Sequence, residues 1–168
     1  MEKVNFKELK CLSLAKNHIS DISVLEKVKF EKLEYLDLGD NNLSNITLLV
    51  KVNFKELKQL YLNKNKISDI SVLEKVKFEK LEYMNLKENN LSNIEILEKV
   101  NFKELKELYL FCNNILDIKV LKNVQFKKLK ILNLLGNNIS DIDVLEKVKF
   151  EKLEYLILDE NKISNIDI

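Results

Sequence analysis

The chain has 168 residues, of which 46% are hydrophobic and 33% are charged, so it can bury one substantial core and keep a polar surface. Its net charge is only +1, so no overall field favours nucleic acid or an anionic membrane. No apolar run approaches the roughly 20 residues that span a bilayer, and the first residues lack the apolar stretch of a secretory signal. We therefore expect a cytoplasmic protein that binds neither nucleic acid nor membrane.

A repeat of 24 residues organises the whole chain. Seven leucines recur at this spacing: Leu9, Leu33, Leu57, Leu81, Leu105, Leu129 and Leu153. Counted from Leu9 as position 1, each unit follows the pattern L-x-x-L-x-L-x-x-N-x-I-S-D-I-x-x-L-x-x-V-x-F-x-x. Because seven units account for all 168 residues, the sequence predicts a single domain, 1–168, that begins and ends in the middle of a unit.

The first half of each unit predicts a short strand followed by a turn. The leucines at positions 4 and 6 alternate with outward positions, as one face of a strand requires. Position 9 is asparagine in every unit: Asn17, Asn41, Asn65, Asn89, Asn113, Asn137 and Asn161. A turning backbone leaves N–H and C=O groups that need partners, and a stacked carboxamide can bond to both.

The second half of each unit predicts a short helix or a 3-10 turn laid over the core. In the first unit its apolar residues are Ile22, Leu25, Val28 and Phe30. The segment from Ser23 to Glu26 resembles a capping box, and Ser71 with Glu74 repeats it. The phenylalanines at position 22 are expected to form a buried spine: Phe6, Phe30, Phe54, Phe78, Phe102, Phe126 and Phe150.

These columns resemble the leucine-rich-repeat family over the full length of the chain. The I-x-x-I-x-x-L continuation is similar to the regulatory-subunit type found with type-1 protein phosphatase and to bacterial internalins, whose units usually have about 22 residues. The resemblance implies an α/β solenoid, a horseshoe with a parallel concave sheet and short helical or 3-10 turns on its convex side. Packing leads to the same architecture, because one unit cannot bury its own apolar face and needs stacked neighbours.

The outward strand positions, 3, 5 and 7, carry the prediction of a binding site. In the last three units six of these nine positions are large and apolar: Tyr109, Phe111, Ile131, Leu135, Tyr155 and Ile157. In the first four units only three of twelve are: Tyr35, Tyr61 and Tyr83. Adjacent strands lie about 4.8 Å apart, so the six are expected to form one patch. Aromatic residues on a rigid sheet are typical interface anchors.

We therefore predict that a protein partner contacts these nine residues, with the contact centred on Tyr109, Phe111 and Leu135. A second interpretation of the tyrosines remains open. Tyrosine favours strands intrinsically, and a 48-residue sub-pattern shows that duplication could have copied it without any function.

No constellation in the sequence predicts an enzyme, a metal site or a cofactor. His18 is the only histidine and is expected in a solvated loop. Cys11 and Cys112 are expected on strands 1 and 5, too far apart for a disulfide, and free thiols fit a reducing compartment. Asp37 and Asp40 would share an open sheet face with no pocket to shift a pKa.

Position 2 alternates in charge rather than forming a basic track. Its residues are Lys10, Glu34, Lys58, Glu82, Lys106, Lys130 and Glu154. Near-alternation predicts favourable pairs between adjacent strands and argues against nucleic-acid binding, which needs clustered positive charge.

Two functions fit the sequence. The first is a cytoplasmic adaptor or regulatory subunit that binds a protein through the concave face. The alternative, implied by the resemblance to internalins, is an extracellular adhesion or surface-recognition domain of a longer protein. The two outer strands would expose unpaired backbone and the edge of the apolar core, so the sequence predicts either that the chain is cut from a larger array or that its ends associate with one another.

Overall fold

A computed structural model of the chain describes residues 6–166, so Met1 and Ile168, the ends of the predicted domain, lie outside the described residues. Seven strands form one parallel sheet in chain order. They are β1 Cys11–Ser13, β2 Tyr35–Asp37, β3 Gln59–Tyr61, β4 Tyr83–Asn85, β5 Glu107–Tyr109, β6 Ile131–Asn133 and β7 Tyr155–Ile157. Each strand pairs with the next at a shift of 24 residues, which confirms the predicted horseshoe solenoid.

The core lies between the sheet and the convex turns. The inward leucines of the middle strands are completely buried, as Leu36 and Leu60 show at 0% exposure. The predicted phenylalanine spine is confirmed for its five inner members: Phe30, Phe54, Phe78, Phe102 and Phe126. It is wrong at Phe6, which is 58% exposed, and holds only in part at Phe150, because each is packed from one side only.

All six convex elements in residues 6–166 are 3-10 turns, which settles the choice between helix and 3-10 turn. They are η1 Ser23–Lys27, η2 Thr47–Val50, η3 Ser71–Glu74, η4 Glu95–Glu98, η5 Lys119–Asn123 and η6 Asp143–Lys147. A run of four or five residues is the length at which this tighter helix is common.

The predicted capping box is wrong. At η3 the side chain of Asp69 accepts the backbone N–H of Ser71 at 2.7 Å, and the serine makes no capping bond of its own. At η1 Asp21 accepts both the N–H of Ser23, at 2.7 Å, and its hydroxyl, at 2.8 Å. The start of each of the six turns is therefore held by the Asp or Asn at position 13, which bonds to the backbone two residues later.

The asparagine ladder is confirmed and joins each unit to the one before it. Asn89 donates to the carbonyls of Leu62, Leu86 and Lys87 at 2.9, 3.1 and 3.2 Å. Its Oδ1 accepts the N–H of Ile67 at 3.0 Å. One buried carboxamide thus satisfies four backbone groups of two units, and five other asparagines repeat the pattern.

The turn that precedes each asparagine has a left-handed residue at position 8. The φ angle there is positive in every unit: Lys16, Asp40, Lys64, Glu88, Cys112, Gly136 and Glu160. Only one of the seven is glycine, although a left-handed conformation costs other residues about 1 kcal/mol. The asparagine bonds to the carbonyls of positions 6 and 7 stabilise it. The sequence predicts that Cys112 lies on strand β5. This prediction is wrong, because Cys112 is the left-handed residue of the turn that follows β5.

Candidate interaction surface

A continuous row of five aromatic rings crosses the concave sheet from β2 to β5. The ring centroids of Tyr35 and Tyr61 are 5.1 Å apart, those of Tyr61 and Tyr83 are 4.6 Å apart, and those of Tyr83 and Tyr109 are 5.3 Å apart. Phe111 ends the row, edge-on to Tyr109 at 6.4 Å. These distances are within the range of favourable aromatic pairs. We call these five residues the aromatic row.

The row arises because tyrosine alternates between two outward positions on successive strands. Tyr35 and Tyr83 stand at position 3, whereas Tyr61 and Tyr109 stand at position 5. In the parallel register Tyr35 lies opposite Gln59, and Tyr61 lies opposite Asp37. Each ring therefore contacts the next one diagonally, and no small side chain separates neighbouring rings.

Each tyrosine hydroxyl of the row is held by the other outward residue of its own strand. Tyr35 donates to Asp37 at 3.2 Å. Tyr109 donates to Glu107 at 2.9 Å. The remaining two bonds are from Tyr61 to Gln59 and from the Asn85 amide to Tyr83, both at 3.2 Å. These bonds fix the rings in place, so a ligand would not need to order them.

The row is partly desolvated, and its phenols are harder to ionise than free tyrosine. Burial raises the pKa of Tyr35 and of Tyr109 to about 12, with the carboxylates of Asp37 and Glu107 adding to the effect. Burial also raises the pKa of Tyr61 and Tyr83. The rings therefore present neutral, rigid and half-buried surface at physiological pH.

Phe111 carries the row toward the turn side of the sheet. Lys87 places its ammonium 5.0 Å from the centre of the Phe111 ring, which is a cation–π contact. Phe111 is itself half-buried, so its exposed part and the Lys87 charge are adjacent. This end of the surface thus combines an apolar ring with a cation.

The four other predicted site residues lie on the same concave face, on or next to β6 and β7. Ile131, Leu135 and Ile157 are half-buried, and Tyr155 is 57% exposed. Ile131 lies opposite Tyr155, but Asn133 lies between Tyr109 and Ile157 in the strand register. The ring contacts join Tyr109 of β5 to the tyrosines of β2 to β4. The sequence prediction centres the contact on units 5 to 7 and does not include these ring contacts.

Groups with catalytic or metal-binding chemistry stand apart from one another. His18 is exposed, and Cys11 and Cys112 are exposed free thiols. Across residues 6–166 no three His, Cys, Asp or Glu side chains are close enough to hold a metal ion. In the same residues no helix has the length and apolar character needed to cross a membrane.

Comparisons with known proteins agree with this architecture. The family model described as Leucine Rich repeats (2 copies) matches residues 7–51 and 31–75. Internalin inlF from Listeria monocytogenes is 30% identical with a TM-score of 0.80, and the match covers 98% of this chain and 45% of that one. Internalin C2 from the same organism is 28% identical with a TM-score of 0.79, covering 96% and 66%.

A third structure, the PEPR1–AtPEP1 complex, is 28% identical with a TM-score of 0.67, and the match covers 92% of this chain and 22% of that one. The chain spans less than two thirds of the length of either internalin. A search of curated protein sequences gives no significant match. Proteins of this fold are typically non-enzymatic modules that bind other proteins. The 24-residue units and the parallel sheet with its asparagine ladder give the chain a leucine-rich-repeat fold, to which the family model and the internalin structures are similar.

Proposed function

We propose that the chain is an adaptor or regulatory module that binds a protein partner through its concave face. The observation that carries this proposal is the aromatic row, which is contiguous, pre-ordered and partly exposed to solvent. Interface hot spots are enriched in tyrosine and in rigid aromatic anchors because these bury a large area with little loss of side-chain entropy. The fold carries the four tyrosines of the row on strands, and Phe111 follows two residues after the end of β5, which keeps the geometry of the row fixed.

The contact is centred where the row meets the apolar residues of the next two units. Tyr109 and Phe111 belong to the row, and Leu135 lies on the following unit in the position equivalent to Phe111. The same surface then extends to Ile131, Tyr155 and Ile157. A partner that covers the nine residues would bury a central aromatic stripe and an aliphatic margin, with Lys87 at the rim.

A cytoplasmic location is part of the proposal. Its support is the pair of free thiols at Cys11 and Cys112, both exposed to solvent. Thiols of this kind persist in a reducing compartment and become oxidised outside it.

The test is affinity capture from a lysate of the source organism with three forms of the 168-residue chain. The wild type is compared with the double variant Phe111→Lys, Leu135→Lys and with the control Val50→Lys, which places the same charge on an exposed convex residue. Circular dichroism verifies that all three fold. We expect one protein to be captured by the wild type and the control and lost by the double variant. Equal capture by all three forms would contradict the proposal.

A second candidate function rests on the likeness to the internalins. In that case the chain would be an extracellular recognition domain of a longer protein, and the same concave face would bind a surface protein of another cell. Capture from a lysate would then fail, while the same three forms would discriminate on intact cells. The two candidates share the binding surface and differ in where the partner is found.

A further inference from the structure

The segments that lead into the strands alternate in charge along the chain, with one exception. The pattern F-K-E-L-K occurs at residues 6–10, 54–58 and 102–106, and the pattern F-E-K-L-E occurs at residues 30–34, 78–82 and 150–154. Residues 126–130 read F-K-K-L-K, so the sixth unit has lysine at all three charged positions. The boundary between units 5 and 6 therefore carries an excess of positive charge.

Three lysines at this boundary are paired with carboxylates of the neighbouring units. The pairs are Lys106 with Glu82 at 2.7 Å, Lys128 with Glu104 at 2.6 Å and Lys130 with Glu154 at 2.6 Å. Lys106 and Lys130 are direct neighbours, because the N–H of Lys130 donates to the carbonyl of Lys106 at 2.7 Å. Their side chains reach acids in opposite directions, one in the unit before and one in the unit after.

Two further lysines at the same boundary, Lys103 and Lys127, are exposed and hold the same position of adjacent units. Among residues 6–166 neither of them forms an ion pair. At the equivalent position two units earlier, Lys55 has a glutamate in each adjacent unit, Glu31 and Glu79. Like charges that stand side by side repel each other, so the pair of lysines favours an anion bound between them.

The two unpaired lysines line a recess of about 450 Å³. It lies between the segment that joins η4 to β5 and the segment that joins η5 to β6. Its lining also includes two apolar residues, Val100 and Phe102, and two amides, Asn101 and Gln125. This volume is within the range of pockets that hold ligands, and it is sufficient for one large side chain of a partner.

The chemistry of the lining suits an acidic stretch of polypeptide. Three lysines and one glutamate give the lining a net charge of +2, which favours a carboxylate. The amide nitrogen of Gln125 already donates to the carbonyl of Asn123 at 3.1 Å, which leaves its oxygen to accept a backbone N–H. A nucleic acid needs a longer track of positive charge, which Glu82, Glu104 and Glu154 interrupt here.

We propose that this recess binds an acidic segment of another protein. A carboxylate of the segment lies between Lys103 and Lys127, and a neighbouring apolar side chain enters the recess against Val100 and Phe102. The site lies on the segments that lead into β5 and β6 and shares no residue with the aromatic row, so the inference does not depend on the proposed function. Two separate surfaces let one chain hold two proteins at once.

The first test is an NMR titration of the 168-residue chain with Gly-Ser peptides that carry Glu-Leu-Glu, Gln-Leu-Gln or Glu-Gly-Glu at their centre. We expect Glu-Leu-Glu to shift the amide resonances of residues 100–104 and 125–128, and the other two peptides to bind several-fold more weakly. Equal binding of Glu-Gly-Glu, or no shift in these two segments, would overturn the proposal. Inorganic phosphate that reproduces the shifts at the same concentration would also overturn it, because the recess would then be a general anion site.

The second test reverses the charge of the site. The double variant Lys103→Glu, Lys127→Glu is expected to bind the Glu-Leu-Glu peptide about tenfold more weakly and to gain affinity for a Lys-Leu-Lys peptide. Lys55→Glu is the matched control, since it changes the same position of unit 3, and its peptide binding is expected to equal that of the wild type. Circular dichroism verifies that both variants fold. A folded double variant that keeps its affinity for Glu-Leu-Glu, or that gains none for Lys-Leu-Lys, would contradict the site.

Discussion

At the scale of single residues, the position-9 asparagines are the polar groups on which the fold depends most. We expect Asn89→Ala to lower the free energy of unfolding by about 2–4 kcal/mol, because three carbonyls and one N–H lose their buried partner. Urea unfolding followed by circular dichroism measures the change. Asn17→Ala is the matched control, since Asn17 is exposed and, among residues 6–166, its side chain bonds only to its own unit. Equal losses in both variants would refute this role for burial.

The phenols of the aromatic row give a second prediction at the residue scale. Burial raises the pKa of these phenols in the folded chain, to about 12 for Tyr35 and Tyr109. A folded pKa above the unfolded value of about 10 means that the folded state keeps its protons longer, so stability falls as the pH rises from about 10 to 12. Absorbance titration of Tyr155→Phe, in which only the four row tyrosines report, is expected to show ionisation well above pH 10. In urea the same variant should titrate near pH 10, and identical curves would contradict the packing of the row.

The sequence located the tyrosines on the concave face but not their contacts. Their positions follow from strand alternation alone, which period-2 reasoning captures. The row depends instead on ring directions, because Tyr61 reaches Tyr35 and Tyr83 diagonally across the strands. The tyrosines alternate between positions 3 and 5, so no single position of the repeat shows that they are neighbours. A count of large apolar residues in each unit therefore favours units 5 to 7. The left-handed residue at position 8 was also missed, since Gly136 is the only glycine among the seven.

At the scale of elements, the 3-10 turns begin at the Asp or Asn of position 13. Asp69→Ala is expected to lower stability by about 1 kcal/mol, because the N–H of Ser71 loses its acceptor. Ser71→Ala keeps that backbone bond and is expected to change stability by only a few tenths of a kcal/mol. Thermal unfolding of the two variants separates this arrangement from a capping box, which would give the opposite order.

The same contact makes a prediction about acid. The backbone and hydroxyl bonds from Ser71 lower the pKa of Asp69 below its ordinary value of 3.8. Stability from this carboxylate is therefore present above pH 3.8 and is lost as the pH falls through the lower folded pKa. The difference in stability between wild type and Asp69→Ala is expected to shrink in that acidic range. A difference independent of pH down to acid unfolding would show that the carboxylate charge is irrelevant.

At the scale of the whole molecule, stability is a property of neighbouring units, so identical changes have different effects along the chain. Leu60→Ala is expected to cost about 3–4 kcal/mol, because Leu60 is fully buried between two units. Leu12→Ala, at the equivalent position of β1, is expected to cost about half as much, since Leu12 is only partly buried. Urea unfolding of the two variants, followed by circular dichroism, provides the comparison. Equal costs would contradict the gradient.

The solenoid itself could be predicted almost entirely from sequence. Leucine, asparagine and phenylalanine columns specify strand, turn and spine, and the 24-residue spacing specifies the register. The convex turns could not be assigned, because four apolar residues suit a helical turn of either kind. The burial of Phe6 is wrongly predicted because the phenylalanines at the same position of the inner units are buried. The repeat pattern does not show which neighbouring units cover a given residue.

The concave aromatic row is the binding surface that we propose for this chain. Hydroxyl-radical footprinting of the 168-residue chain, with and without its captured partner, tests it most directly, because aromatic rings report their own exposure. We expect Tyr61, Tyr83 and Phe111 to become protected, while the exposed convex residue Val50 keeps its reactivity. Protection of Val50 and the 3-10 turns, with the row as reactive as in the free chain, would contradict the claim and place the partner on the convex side.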